Sequence, residues 1–492
     1  MPLFIRQRRR ILGWVAGLIA GADYLTNATV SFSAGEIRAG IGATPDQFLW
    51  VLTAYAAAGA LMILCLERLL RVVPIRRLLL AGLALFVAGS VAAALSQTLP
   101  ALVAARVLQG LGGGPLMTCA RVMLQLTVPP ERRPRQLRGF MFGIFVASAP
   151  GAWLGAMLMQ AGDWHALFAL QAAVGVAVAL LAWFCLPGSV HVTRPVGHLD
   201  LWAALALVVA TLLWLHGLED LAYSRPDFGW WLRIGAGGLL FLWLAVRLTG
   251  HDDPWLRLDT LASRRFVVGL ALYALYYLIN GAVTLTLPQY LRQGEGIDLP
   301  TAGYVSSLGS AVTVLCLPVY FRFAAKLPER RLVVLFGCLL MAAVLWALAH
   351  MATGSTAWTQ LLPLVALKGL FPVLMVIQVA GLTFREFRHL DFVHAYALKN
   401  LLRLLAMAAG SGLADVYWQD VAVRARLMLV SRYDTGLAAA LGMTPDHPAG
   451  WSTLSALIDR QAALLASSQL FAVLAILCLF VGALAFWQRA LR

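Results

Sequence analysis

Residues 105–121 read ARVLQGLGGGPLMTCAR and lie inside one of the longest apolar runs of the chain. The stretch contains Arg106 and, within about two helical turns of it, four glycines: Gly110, Gly112, Gly113 and Gly114. A charged side chain is costly in hydrocarbon, and glycine weakens a helix interior. We therefore expect the glycines to contact a neighbouring helix, and Arg106 to face an internal cavity rather than lipid.

The composition is that of a helical membrane protein. Of the 492 residues, 61% are hydrophobic and only 12% are charged. A soluble protein of this length needs about a quarter of its residues charged to cover its surface. Apolar runs of roughly twenty residues recur from end to end, and that length crosses about 30 Å of hydrocarbon. The sequence thus predicts an all-α polytopic membrane protein.

The net charge of +15 follows membrane topology rather than a nucleic-acid surface. Basic residues cluster between apolar runs, at positions 6–10, 68–77 and 132–138. No basic face interleaved with aromatic residues is present, so we expect no nucleic-acid partner. The six cysteines are not paired at metal-ligand spacing, and no metal or cofactor is expected.

The apolar runs predict about fourteen spans. Their approximate limits are 11–32, 47–66, 78–96, 101–124, 139–161, 166–186, 200–218, 231–249, 266–291, 301–323, 332–351, 359–383, 395–414 and 467–488. An even number places both termini on one side of the membrane, and the positive-inside rule makes that side cytoplasmic.

A weak internal repeat divides the spans into two halves. Arg106-x-x-Gln109-Gly110 in the fourth span has a partial counterpart in Lys368-Gly369 of the twelfth span. Repeats of this kind are typical of secondary transporters, whose substrate site lies between the halves. The predicted units are an N-terminal six-helix bundle at 1–190, two extra helices at 191–262 and a C-terminal six-helix bundle at 263–492.

One predicted outer segment, residues 415–466, is long. Within it, Trp418, Val421, Ala425 and Met428 share one helical face, which is a modest amphipathic signal. A helix packed on the rim of the bundle explains this signal somewhat better than a dedicated partner site does.

Further motifs accompany the fourth-span stretch. They are Trp50-x-x-Thr53-x-Tyr55, Gly151-x-x-x-Gly155 followed by Trp164 and Phe168, Leu287-Pro288-x-Tyr290-Leu291, and Asn400-x-x-Arg403. Together with Arg106-x-x-Gln109-Gly110-x-Gly112-Gly113, they resemble the fourteen-span drug:proton antiporters of the major facilitator superfamily. The fourth-span motif matches that family in full.

The sequence departs from the family in three places. In the fifth span, Ala152 and Ala156 replace a proline and a glycine of the family's motif. The loop after the second span lacks the family's acid and glycines, although Glu67 and Arg71 can pair at i,i+4. In the first span, Thr26 stands at the family's aspartate position, and Asp23 lies three residues earlier on the same helical face.

The resemblance implies a major facilitator fold and proton-coupled export of hydrophobic drug-like or secondary-metabolite molecules from the bacterial inner membrane by alternating access. Lipid, protons and a small hydrophobic substrate are the implied partners. In relatives from double-membraned bacteria, such pumps also join a periplasmic adaptor and an outer-membrane channel.

Two alternatives stay open. One is a facilitator or exporter of a single metabolite, lipid or siderophore with weak proton coupling. The other is a non-transporting membrane scaffold or sensor with the same fold. The chain has no phosphate-cradling G-x-x-x-x-G-K loop, so ATP-driven transport is not expected, and no motif supports catalysis.

Intramembrane charges are the first candidate site residues. We predict that Asp23 exchanges the proton and that Arg106 modulates it; a fixed structural pair between the two is the alternative. Residues predicted to bind cargo are Tyr24, Asn27, Tyr55, Gln109, Tyr273, Tyr277, Asn280, Lys368 and Gln378. For Lys368, snorkelling or structural pairing is an equally good interpretation. The aromatic members suit apolar and often cationic drugs.

Two further groups are predicted to serve conformational change. Gly110, Gly113, Gly151 and Gly155 allow close helix packing, and smooth faces of this kind also permit gating motions. Glu67, Arg71 and Arg76 are predicted to form a cytoplasmic gate.

Overall fold

The computed structural model describes residues 2–188, 200–221, 226–250, 261, 263–323, 329–384, 386–387, 389–431 and 448–488. Within these ranges all regular structure is helical, which confirms the predicted all-α class. The first nine α-helices are α1 (Pro2–Phe32), α2 (Ala34–Ile41), α3 (Pro45–Val72), α4 (Ile75–Ala94), α5 (Leu99–Gly113), α6 (Leu116–Thr127), α7 (Arg133–Ser148), α8 (Gly151–Gln160) and α9 (His165–Cys185).

Nine further α-helices follow in the described part of the chain. They are α10 (Leu201–Asp220), α11 (Phe228–Gly250), α12 (Arg264–Gln289), α13 (Leu299–Phe323), α14 (Arg330–Met351), α15 (Trp358–Lys368), α16 (Phe371–Thr383), α17 (His389–Ser431) and α18 (Pro448–Trp487). A short π-helical turn, Tyr290–Gly294, extends α12.

Eleven helical stretches of the described residues are long and apolar enough to cross a membrane. The predicted spans 11–32, 101–124 and 395–414 are not among them, although they are helical as α1, as α5 with α6, and within α17. Each of these three contains charged residues inside its limits, and those residues lower its mean hydropathy. Fourteen spans therefore stays a prediction.

The fourth and twelfth predicted spans are each broken once. The fourth is interrupted at Gly114-Pro115, between α5 and α6, and the twelfth at Gly369-Leu370, between α15 and α16. At the second break, Thr313 Oγ1 donates to the Gly369 carbonyl at 2.6 Å, which satisfies a backbone group freed by the interruption. Both spans thus consist of two shorter helices.

Two helical bundles face each other. In the first, α1 packs against α7 and α9, and α4 packs against α5 and α9. In the second, α14 packs against α18, and α12 packs against α17. The bundles meet where α8 contacts α13, and where α17 contacts α3 and α6. A site between the bundles is therefore reached from both halves of the sequence.

The two extra helices cover one seam between the bundles. α10 packs on α11, and it also contacts α3 from the first bundle and α17 from the second. Ion pairs hold the two extra helices together: Arg247 Nε lies 2.6 Å from Asp200 Oδ2, and Arg233 Nη2 lies 3.0 Å from Asp220 Oδ2. The hairpin is thus anchored at both of its ends.

The predicted outer segment 415–466 is largely helical. α17 continues without interruption to Ser431, α18 begins at Pro448, and residues 432–447 lie outside the described part. Trp418, Val421 and Ala425 are buried, and Trp418 Nε1 donates to Ser467 Oγ of α18 at 3.0 Å. Met428, the fourth member of the predicted face, is instead 57% exposed. The amphipathic face is mostly the contact between these two helices.

Candidate functional site

A cavity of about 800 Å³ lies between the two bundles. The first bundle contributes Tyr24, Asn27, Met117, Arg121, Arg138 and Phe145 to its lining, and the second contributes Tyr273, Tyr277, Asn280, Lys368, Lys399 and Arg403. Arg138 and Arg330, at the predicted cytoplasmic ends of α7 and α14, also line it. The cavity therefore extends from the middle of the molecule towards the predicted cytoplasmic side.

A buried ion pair joins the bundles beside this cavity. Asp23 of α1 is fully buried, and Arg403 Nη2 of α17 donates to its Oδ2 at 3.1 Å. The other carboxylate oxygen, Oδ1, accepts hydrogen bonds from Tyr55 Oη at 2.5 Å and from Asn27 Nδ2 at 3.0 Å. Asp23 is thus the acceptor for three donors, one of which belongs to the opposite bundle.

Arg106 does not pair directly with Asp23. Its guanidinium carbon lies 4.1 Å above the ring of Tyr55, whose hydroxyl reaches Asp23, so Tyr55 stands between the two charges. Arg106 Nε donates to the Val51 carbonyl at 3.2 Å, and Nη1 donates to Gln109 Oε1 at 2.5 Å. Arg106 is 1% exposed and packs inside the first bundle. The expectation that it faces the cavity is not met, because α3 and α5 enclose it.

An amide network continues from Arg106 into the first bundle. Gln109 Nε2 donates to Gln171 Oε1 and to Ser90 Oγ, each at 2.8 Å, and Gln171 Nε2 donates to Thr29 Oγ1 at 2.9 Å. All four side chains are buried. The network therefore connects α5, α4, α9 and α1 and holds Arg106 in a fixed position.

The glycines of the predicted packing faces lie against neighbouring helices. A Cβ placed on Gly110 would lie 2.5 Å from the Tyr55 carbonyl oxygen, and one on Gly113 would lie 2.6 Å from Tyr55 Oη. On α8, a Cβ on Gly151 would lie 2.6 Å from Ala28 Cβ, and one on Gly155 would lie 2.8 Å from Ser33 Oγ. Any larger residue would push α3 from α5, or α1 from α8.

Three tyrosines of the second bundle surround a lysine. Lys399 Nζ lies 5.2 Å from the ring centre of Tyr273, 5.8 Å from that of Tyr277 and 4.9 Å from that of Tyr396. It also donates to Asn400 Oδ1 at 3.0 Å. We call Tyr273, Tyr277 and Tyr396 the tyrosine cage. The ammonium inside the cage belongs to the protein itself.

Not all predicted cargo residues line the cavity. Tyr24, Asn27, Tyr273, Tyr277, Asn280 and Lys368 do. Tyr55 and Gln109 lie behind the lining, within the first bundle, and Gln378 is buried behind Tyr320, to whose hydroxyl its Nε2 donates at 2.8 Å. These three side chains do not themselves reach the cavity.

The predicted cytoplasmic gate residues separate into two groups. Arg71 Nε lies 2.8 Å from Glu67 Oε1, as the i,i+4 spacing predicts. Arg76 turns away from this pair: its Nη2 donates to the Trp183 carbonyl at 2.7 Å, and its guanidinium carbon lies 5.7 Å from that indole. Arg76 therefore ties α4 to the end of α9, because a short turn after α3 places it on the other side of the bundle.

The sequence interpretation left out three charged residues of the site: Arg403, Lys399 and Arg121. All three lie within predicted spans, so the rule that selected Asp23 and Lys368 could also have found them. Arg403 was noted only as part of a motif. In the described part of the chain, no group of three or more His, Cys, Asp or Glu side chains is placed to hold a metal ion.

Known proteins resemble this chain along most of its length. Residues 15–411 match the Major Facilitator Superfamily. The chain belongs to this superfamily. It is therefore a multi-pass membrane transporter and not an enzyme. It is 26% identical over 456 residues to the multidrug export protein EmrB of Escherichia coli (strain K12), covering 88% of this chain and 86% of that one.

A second relative and a solved structure are also similar to most of the chain. The chain is 24% identical over 417 residues to the fatty acid resistance protein FarB of Neisseria gonorrhoeae, covering 83% of this chain and 81% of that one. The solved structure of a bacterial homologue of the human drug peptide transporters PepT1 and PepT2 aligns with a TM-score of 0.61 at 14% identity, over 97% of each chain. That likeness supports the fold alone.

Proposed function

We propose that this transporter exports hydrophobic, drug-like or secondary-metabolite molecules in exchange for protons. In this proposal the chain spans the bacterial inner membrane fourteen times, with both termini in the cytoplasm. The observation that carries the proposal is the Asp23–Arg403 ion pair, which is buried, joins the two bundles and lies beside a cavity large enough for a drug-sized molecule.

The ion pair gives protons a direct effect on the bundles. Ionised Asp23 holds Arg403 of α17 against α1. Protonation of Asp23 removes that attraction, and a buried cation left without its partner is unfavourable by about 3–5 kcal/mol. Arg403 is then no longer held against α1 and moves towards the cavity, which it already lines. Because Arg403 belongs to α17, that helix moves with it. Proton binding thereby favours a different arrangement of the two bundles.

The names of several relatives support an export role. EmrB is named a multidrug export protein, and the MdtD protein of Cronobacter sakazakii, 26% identical over 415 residues, is named a putative multidrug resistance protein. The fatty acid resistance protein FarB favours a second candidate, in which the cargo is one specific class of lipid-like molecule.

Transport in proteoliposomes tests the proposal. Purified protein should accumulate a hydrophobic dye when a pH gradient is imposed, and Asp23→Asn should abolish gradient-driven flux. Asp220→Asn is the matched control, because Asp220 pairs with Arg233 at the end of α10 and does not line the cavity. Flux that ignores the gradient in wild-type protein would favour the facilitator, and absence of flux for every cargo would favour the scaffold.

We propose further that the ends of α17 and α18 contact a periplasmic adaptor. The 43 residues of α17 extend about 65 Å, roughly twice the hydrocarbon thickness, so the helix projects beyond the membrane. Its projecting end exposes Val423, Leu427 and Val430 by 51–66%. A photo-crosslinker at position 427 should trap an adaptor in cells of the source bacterium. The same label at the exposed Leu181 of α9 should not.

A further inference from the structure

The charged side chains that line the cavity are all cationic. They are Arg121, Arg138, Arg330, Lys368, Lys399 and Arg403. Among the described residues of the lining there is no aspartate or glutamate, and the carboxylate that pairs with one of them, Asp23, lies behind Arg403. In a cavity enclosed by apolar helices, this excess of positive charge attracts anions and repels cations.

Of the lining cations that lie within predicted spans, Lys368 is the one that lacks a partner. It has no hydrogen bond and no ion pair with any described residue, whereas Lys399 has Asn400 and Arg403 has Asp23. It is the last residue of α15 and stands at the break that precedes α16, where the C-terminal end of a helix dipole favours a cation. Its side chain is partly exposed to the cavity, so its ammonium is available to a bound molecule.

Several aromatic rings in and around the site are already occupied by the protein's own cations. The tyrosine cage holds Lys399, and the guanidinium carbons of Arg403 and Arg121 lie 4.8 Å and 4.6 Å from the rings of Tyr24 and Phe392. A cationic drug would therefore meet a repulsive field, and the tyrosine cage, which would suit its charge, already holds Lys399. Part of the aromatic content of the spans thus contacts the protein's own cations.

Much of the remaining lining is apolar. Phe32, Met141, Phe145, Phe321 and Phe371 contribute to it, so the cavity combines a hydrophobic surface with unneutralised positive charge. We propose that the cargo is an amphiphilic organic anion whose acidic head group binds Lys368 and whose apolar body packs against these side chains. This inference rests on the proposed function, because it takes the cavity as the cargo site.

Binding of a matched series of probes tests the inference. Decanoate, decanol and decyltrimethylammonium share an apolar chain and differ in head-group charge. Their dissociation constants are measured with the full chain in nanodiscs of zwitterionic lipid, and empty nanodiscs correct for partitioning. Decanoate should bind at least about tenfold more tightly than decyltrimethylammonium, because a charge-assisted contact is made with one and electrostatic repulsion with the other.

Substitution of Lys368 assigns the head-group contact. Lys368→Gln should weaken decanoate binding about tenfold and leave decanol binding unchanged, and Lys368→Arg should retain the preference for decanoate. Arg233→Gln is the matched control, since it removes a cation that pairs with Asp220 and does not line the cavity. Repetition in nanodiscs that contain phosphatidylglycerol separates the two sources of an acidic head group. If phosphatidylglycerol abolishes decanoate binding to the wild type but does not change the binding that remains in the Lys368→Gln variant, the lipid competes at Lys368. That result would assign the site to an anionic lipid.

The outcomes separate the inference from the proposed function. Equal binding of all three probes, or equal weakening of all three by Lys368→Gln, would overturn the anionic cargo. Proton-driven flux of a neutral or cationic dye would then still uphold export. Lys368-dependent decanoate binding without any proton-driven flux would uphold the anionic site and contradict the exporter.

Discussion

At the scale of single residues, the site depends on Asp23 and on the three side chains that donate hydrogen bonds to its carboxylate. The carboxylate is fully buried, and its donors Arg403, Tyr55 and Asn27 come from α17, α3 and its own helix. Removal of one member leaves an uncompensated buried charge, whereas removal of both charges leaves polar groups that can still bond each other. The two charges are therefore energetically coupled.

We expect Arg403→Gln to destabilise the protein by about 3–5 kcal/mol and the double variant Asp23→Asn/Arg403→Gln to recover most of that loss. Thermal unfolding in detergent measures the effect. Arg424→Gln is the control: Arg424 pairs with Asp420 on the exposed part of α17, and such a pair contributes at most about 1 kcal/mol. Additive effects of the two buried substitutions would contradict the coupling.

At the scale of helices, close approach explains the glycines of residues 105–121. Gly110 contacts the backbone of α3, which cannot yield as a flexible side chain can. Gly235, in the middle of α11, has no neighbouring atom within 4 Å of the position its Cβ would take. Both glycines lie within helices, and they differ in whether a neighbouring helix packs against them.

Gly110→Ala should therefore destabilise the protein by about 1–3 kcal/mol, because α3 and α5 must separate. Gly235→Ala should be neutral or stabilising by up to about 1 kcal/mol, because alanine favours a helix interior. Comparison of the two melting temperatures measures the difference. A loss of stability as large for Gly235→Ala would contradict close packing as the reason for the effect at Gly110.

Local sequence patterns predicted the helices better than they predicted which side chains contact each other across the fold. The all-helical class followed from the apolar runs, and the Glu67–Arg71 pair followed from helical spacing, because both are local properties. The acceptor for Arg403 is 380 residues away along the chain, and no local pattern encodes that approach. A helix after residue 414 was predicted from its amphipathic face, but its unbroken continuation from α17 was not, since the charged turns between them resemble a loop when hydropathy alone is read.

At the scale of the whole molecule, ion pairs join the two bundles beside the cavity and on its predicted outer side. Near the centre lies the Asp23–Arg403 pair, and at the predicted outer end Arg292 Nη2 lies 2.5 Å from Glu36 Oε1. Glu36 belongs to α2 of the first bundle, and Arg292 follows α12 of the second. Close packing adds to this end, where Ser307 Oγ accepts a hydrogen bond from the Trp153 N–H at 2.9 Å.

Glu36→Ala should open the predicted outer end more often. A partly exposed ion pair contributes up to about 1 kcal/mol, which corresponds to roughly a fivefold change in population. The readout is the labelling rate of Asn280→Cys, in a cysteine-free background, by an impermeant maleimide added from outside. Asp163→Ala, which removes an exposed partner of His165 within the first bundle, should leave the rate unchanged. An unaltered rate in Glu36→Ala would exclude this pair as an outer latch.

The length of α17 converts a small event at the cavity into a large one at the surface. Arg403 lies near the middle of the predicted span 395–414, and the same uninterrupted helix continues to Ser431. Those 28 residues extend about 42 Å, so a tilt of roughly 10° at Arg403 would sweep the far end by about 7 Å. In this arrangement α17 would pivot where Arg403 bonds to the Asp23 carboxylate. Binding of one proton there would displace the far end of the helix, and a second protein bound at that end would respond to the displacement.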